Sequence, residues 1–144
     1  MLSVGWMSVA VALCGGCGKS GMDRQVLYGR VTYDGQQVTG GDIFFVPTGD
    51  THGPASGAAV TDGVYRADRG GGVPKGKHQV RIRGFLGELP PTPQGGPDNV
   101  TYPTVPTEYY TDSKIEIEVV PGSTQSEMNF DLLPGMKLKV RESP

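Results

Sequence analysis

From Leu27 onward, apolar residues recur at every second position in short runs separated by turn residues. Leu27, Gly29, Val31 and Tyr33 fall on one parity, and Tyr28, Arg30 and Thr32 on the other. That two-residue period marks a half-buried strand. A Gly-rich connection, Asp34-Gly35 to Gly40-Gly41, leads to a second apolar run in which Ile43 and Phe45 share a face and which ends at Pro47. Residues 48–54 form a turn cluster without an apolar side chain. A weak strand of small residues, Ala55 to Thr61, meets a returning strand, Val64 to Ala67, across Asp62-Gly63, a tight hairpin turn. After a loop over 68–74, Gly76 to Gly84 alternates most clearly, with His78, Val80 and Ile82 set against Gln79, Arg81 and Arg83.

Residues 85–106 hold many prolines and glycines and read as an irregular arm across the surface, the favoured place for specificity. Two further alternating strands follow, Lys114 to Val120 and a run through Met128, Phe130 and Leu132. The tail adds a short edge strand through Met136, Leu138 and Val140. Seven main strands, each with one apolar face, call for an all-β, two-sheet sandwich, because a single sheet would leave its apolar side wet.

Composition narrows the choice further. With 23 glycines and 12 prolines in 144 residues, no stretch past the N-terminal segment can hold several helical turns. A net charge of −2 offers no clustered basic face for nucleic acid. The only cysteines, Cys14 and Cys17, precede the strand series, so they bear on processing and leave the fold to its core.

The segment Leu2 to Leu13 is uncharged and mostly apolar, with the length of a signal-peptide core and too short for a lone membrane span, which needs about 20 residues. Gly15-Gly16-Cys17 behind it resembles the lipobox of bacterial lipoproteins. The resemblance implies that residues 1–16 are removed, that Cys17 carries the lipid, and that residues 17–25 hold the lipidated cysteine and a flexible tether. Cys14 is disfavoured for that role, because Leu13 is bulky at the cleavage position. Cys14-Gly-Gly-Cys17 lacks the strand-to-helix setting of thiol redox chemistry and the further ligands of a zinc site. Gly18-Lys19-Ser20 mimics the end of a P-loop, but Leu13 stands where its first glycine belongs.

The strand series resembles a family as well. Gly29-x-Val31-x-Tyr33-Asp34-Gly35-x-x-Val38-x-Gly40-Gly41-x-Ile43-x-Phe45-x-Pro47 is similar to the opening of the carboxypeptidase regulatory-like, or transthyretin-like, modules of bacterial lipoproteins. Asp62-Gly63-x-Tyr65, Pro74-x-Gly76-x-His78-x-Val80-x-Ile82, Pro106-x-x-Tyr109, Ile115-x-Ile117-x-Val119 and Phe130-x-Leu132 follow in order. The resemblance implies a seven-stranded sandwich of the prealbumin type over 26–133, with 134–144 as a tail. Such modules mostly bind, space or support folding and carry no activity of their own. The expected address is the cell envelope, anchored to a membrane through the lipid, or secretion if no lipid is added. One related branch hydrolyses 5-hydroxyisourate with a C-terminal Tyr-Arg-Gly-Ser. This chain reads Val140-Arg141-Glu142-Ser143-Pro144 there.

No catalytic constellation stands out, and no cofactor or metal is called for. The turn aspartates lack the spacing of a calcium loop. His52 and His78 are the candidates for a small hydrolase or metal enzyme. The expected place of His78 is the rim of the core, one ring nitrogen held by backbone. Arg81 and Arg83 are candidates for cross-strand pairs with Glu116 and Glu118, against solvated outer faces. Asn99-Val100-Thr101 is a glycosylation sequon, one that a bacterial lipoprotein has no ordinary use for. Tyr102, Tyr109 and Tyr110 flank the arm and are candidate contacts for a glycan or Pro-rich peptide, against a role in pinning the arm. An envelope protein or glycan is the expected partner.

Overall fold

The computed structural model describes residues 22–88, 102–120, 122–135 and 137–142. Cys14, Cys17, the sequon and the centre of the arm lie outside the described residues. Nine strands are present among them: β1 (Arg24–Tyr33), β2 (Gln36–Pro47), β3 (Ser56–Thr61), β4 (Val64–Ala67), β5 (Val73–Pro74), β6 (Gly76–Leu86), β7 (Ile115–Val119), β8 (Gln125–Leu133) and β9 (Lys137–Glu142). The one α-helix described is a single turn, α1 (Glu108–Thr111), and a 3-10 turn spans Arg69–Gly71. The chain is all-β.

The strands connect in the order β7-β6-β2-β3-β4-β1-β8-β9, with β5 set against the start of β1. A further pairing between β1 and β2, at Thr32↔Gln37 and Tyr33↔Gln36, closes β1 to β4 into a four-stranded ring. From this barrel β6 and β7 extend beyond β2, and β8 and β9 extend beyond β1. The pairing of β1 with β8 is parallel; every other pairing is antiparallel. β9 lies where the tail is expected to add an edge strand, and β5 is the strand beyond those expected.

The two hairpins of the ring turn on Asp34-Gly35 and Asp62-Gly63. Both residues of each turn have positive φ, at 48° and 78° in the first and 50° and 76° in the second. That is the turn whose twist matches paired strands, and Asp-Gly meets it with little strain.

Alternation predicts burial well. Leu27 and Val31 of β1, Ile43 and Phe45 of β2, Val80 and Ile82 of β6 and Phe130 and Leu132 of β8 all lie fully inside. Phe45, Tyr65 and Phe130 meet at its centre, with ring centroids 6.0–6.5 Å apart. They join β2, β4 and β8. The Tyr65 hydroxyl donates to the carbonyl of Met128 at 2.8 Å. Burial first, and then the charge of Glu127, raises the Tyr65 phenol well above its usual range, so it remains a donor at any ordinary pH.

The Gly-rich connection is shorter than the sequence suggests. β2 begins directly after Gly35 and runs through Gly40-Gly41, with a register shift between Val38 and Gly40. Glycine here serves close approach and not a turn. A Cβ on Gly41 would lie 2.1 Å from the Arg83 carbonyl oxygen, and one on Gly29 equally close to that of Met128. The irregular arm is also shorter. Phe85 and Leu86 belong to β6, and the returning segment bonds back to it, Leu86 N–H to Pro103 C=O at 2.8 Å and Val105 N–H to Gly84 C=O at 2.9 Å.

Because backbone atoms cannot yield as a side chain can, Gly29→Ala and Gly41→Ala should each destabilise by at least the ~1–3 kcal/mol typical of overpacking. The midpoint of urea unfolding measures this; a variant as stable as the wild type would show that these strands have room to part.

Candidate functional site

The outer face of β2 and β6 carries side chains that the inward alternation leaves over. Asp42 stands directly opposite Arg83, and Phe44 opposite Arg81. Arg83 Nε and Nη2 reach the same carboxylate oxygen of Asp42 at 3.1 and 3.0 Å. Its guanidinium carbon also lies 5.8 Å from the centre of the Phe44 ring and 5.1 Å from that of Tyr110. The two rings meet edge to face at 6.0 Å. Thr107 and α1 lift Tyr110 over the strands, and the Thr111 hydroxyl closes that turn onto the Thr107 carbonyl at 3.0 Å. A cleft of about 490 Å³ opens beside this cluster, lined by Asp42, Arg83, Phe85, Thr104, Thr107 and Tyr110 among others. It combines half-buried aromatic rings with a planar ion pair and threonine hydroxyls, a composition suited to a ligand with both apolar faces and hydroxyl groups.

The three candidate tyrosines separate in the structure. Tyr110 lines the cleft. Tyr102 is half-buried and packs edge-on against Phe85, with centroids 6.5 Å apart. Tyr109 is a core residue, 1 % exposed, and offers a ligand no surface. Its ring meets Tyr33 at 6.2 Å, and its hydroxyl bonds the Leu133 carbonyl and, at 3.2 Å, that of Lys137. Tyr109 fastens α1 to the core, while its neighbour Tyr110 is half-buried at the cleft.

The arginine–glutamate pairs do not form. β7 ends its contact with β6 at Ile115↔Val80, so Glu116 faces Gln79 and Glu118 faces Lys77. Arg81 turns instead to Gln79, its Nε 3.0 Å from the side-chain oxygen. The Asp42–Arg83–Phe44–Tyr110 grouping escaped sequence reading because its members come from three separate segments. Only the outward parity of Asp42, Phe44 and Arg83 could have hinted at it.

His78 is not at the rim. It is fully buried, between Pro47 of β2 and Ile117 of β7 in register. Nδ1 lies 3.0 Å from the Gly76 carbonyl, which can only accept, so Nδ1 carries the proton. Nε2 is buried without a partner among the described residues. Burial lowers the His78 pKa, against a smaller raising effect from the Gly76 bond. His52 lies on the exposed loop after β2, in a surface hollow that it shares with Gly76 and Lys77, whereas His78 is enclosed. Among the described residues no group of three or more His, Cys, Asp or Glu side chains is placed to hold a metal ion. No described helix is long and apolar enough to cross a membrane.

No family profile, no curated protein and no solved structure matches this chain.

Two outcomes follow from these placements. With the folded pKa of His78 below the unfolded value of about 6.5, the unfolded chain binds more protons in the interval between the two. Stability should therefore be level above about pH 6.5, fall as pH drops through that interval, and level again below the folded value. His78→Leu should flatten this part of a plot of urea midpoint against pH; an unchanged slope would assign it to other groups. Tyr109→Phe should cost about 0.5–1.5 kcal/mol through its lost hydrogen bonds, while Tyr110→Ala should leave the unfolding midpoint nearly unchanged.

Proposed function

We propose that this protein is a non-enzymatic, lipid-anchored module of the cell envelope that binds a saccharide in the cleft beside Tyr110. Its all-β body is read as a transthyretin-like sandwich, a reading that rests on the resemblance of its strand series to those modules. The lining of that cleft carries the binding reading: Tyr110 and Phe85 present apolar ring surface next to the Asp42–Arg83 pair. A pyranose has one apolar face and adjacent hydroxyls that a carboxylate and a guanidinium can bridge, which matches this pairing of chemistries. The anchor rests on the apolar segment Leu2 to Leu13 and the small residues before Cys17. A Pro-rich peptide stacked on the same rings is the alternative occupant, and a plain spacer role is what remains without either.

Cells fed labelled fatty acid should label the wild type and not Cys17→Ser; equal labelling would remove the anchor from this reading. On a glycan array the wild type should bind a limited set of sugars. Tyr110→Ala and Arg83→Ala should each weaken that binding at least about tenfold, the loss of one well-placed contact of ~1.4 kcal/mol. Binding that survives both changes would exclude this cleft.

A further inference from the structure

The connected strands end in two free edges of opposite charge. At one end β7 pairs only with β6, and at the other β9 pairs only with β8, among the described residues. Each edge strand therefore presents alternate backbone N–H and C=O groups outward, a template for another strand. One carbonyl on the β9 side, that of Lys137, is already held by Tyr109.

The polar rows of the two edge strands are sorted by sign, and Glu142, on the other face of β9 at its end opposite Met128, is the one acidic side chain of that strand. On β7, Ile115, Ile117 and Val119 are buried, and Glu116 and Glu118 are exposed. On β9, Leu138 stands opposite Leu132 and Val140 opposite Phe130, while Lys137, Lys139 and Arg141 occupy the outward row. Arg141 is paired with Asp131, but Lys137 and Lys139 have no ion pair among the described residues, nor do Glu116 and Glu118. Val140 remains 36 % exposed at the border of the core.

Two like edges would place Glu against Glu or Lys against Lys, which is destabilising in a cross-strand pair. A β7 edge against a β9 edge does the reverse. It continues the apolar row of Ile115 and Ile117 with Leu138 and Val140, and sets Glu116 and Glu118 beside Lys137 and Lys139. The two strands are of similar length, so few backbone groups would be left over. We propose that a second copy of this chain docks by adding its β9 edge to the β7 edge of the first. The contact uses two different surfaces, so each copy retains one free edge, and the association propagates head to tail into a chain or closes as a ring.

Sedimentation velocity on the full chain with Cys17→Ser tests this, since no acyl chain can then drive association. At low salt the weight-average sedimentation coefficient should rise with concentration, and at high salt, where exposed charges are screened, it should return toward the monomer value. Glu116→Lys/Glu118→Lys should weaken association at least about tenfold, and so should Lys137→Glu/Lys139→Glu. An equal mixture of the two variants should associate again, the two alternating, because the basic β7 edge of one meets the acidic β9 edge of the other and the acidic β7 edge of the second meets the basic β9 edge of the first. A chain that stays monomeric at every concentration, association indifferent to both reversals, or a mixture that does not recover would each overturn the proposal. If circular dichroism shows that a reversed variant does not fold, Glu116→Gln/Glu118→Gln and Lys137→Gln/Lys139→Gln replace the reversals: weaker association in both sustains the proposal, and unchanged association in either overturns it.

Discussion

The contact among Phe45, Tyr65 and Phe130 is the constraint from which the rest of the molecule takes its shape. These rings belong to β2, β4 and β8, which are not neighbours along the strand path. Hydrogen bonds between adjacent strands can set register, but they cannot decide how far a curling path folds over on itself. Burial of these rings does, at about 1.5–3 kcal/mol for a fully enclosed large side chain. The Tyr65 hydroxyl fixes the fit further, because a buried phenol must find an acceptor and the Met128 carbonyl is the one in reach. Between paired strands, Gly29 and Gly41 lie against the backbone carbonyls of Met128 and Arg83, which leave no space for a methyl group.

The inside of the body thus places what lies on its outer side. Once Ile43, Phe45, Val80 and Ile82 turn inward, strand geometry leaves Asp42, Phe44, Arg81 and Arg83 no alternative but to point away. The close crossing at Gly41 and Gly84 draws β2 and β6 together and brings Asp42 opposite Arg83. Tyr109 then determines Tyr110. Its ring is fastened inside by Tyr33 and by the carbonyls of Leu133 and Lys137, and the next residue along α1 is carried over the outer face to Phe44 and Arg83. A packing residue and a candidate binding residue are adjacent in the chain because a single helical turn spans the boundary between core and surface.

The same economy leaves one polar atom in an awkward place. His78 holds the Gly76 carbonyl through Nδ1, and its other nitrogen faces the interior. A buried group without a partner costs about 1–3 kcal/mol. Keeping the ring neutral limits that cost, since a proton on Nε2 would add an unsolvated charge to an unmet hydrogen bond. An apolar residue of similar size would avoid that penalty but would give up the Nδ1–H bond to the Gly76 carbonyl, which is the structural reason for histidine there.

What the order of residues determined by itself was local: the all-β character, the inward row of nearly every strand and the hairpin turn at Asp62-Gly63. Alternation and positive φ depend on near neighbours only, so they are legible without the fold. Gly40-Gly41 was misread as a connection because a glycine that permits close approach looks the same, in a string of letters, as one that permits a turn. Only the tertiary structure decided that Tyr109 is buried while Tyr110 is not, that Arg83 meets Asp42 and neither glutamate of β7, and that the acidic and basic strands end at opposite edges. Each of these depends on register between segments distant in the chain, and register is set by how the enclosed rings and glycines fit together, a property that no single run of residues carries.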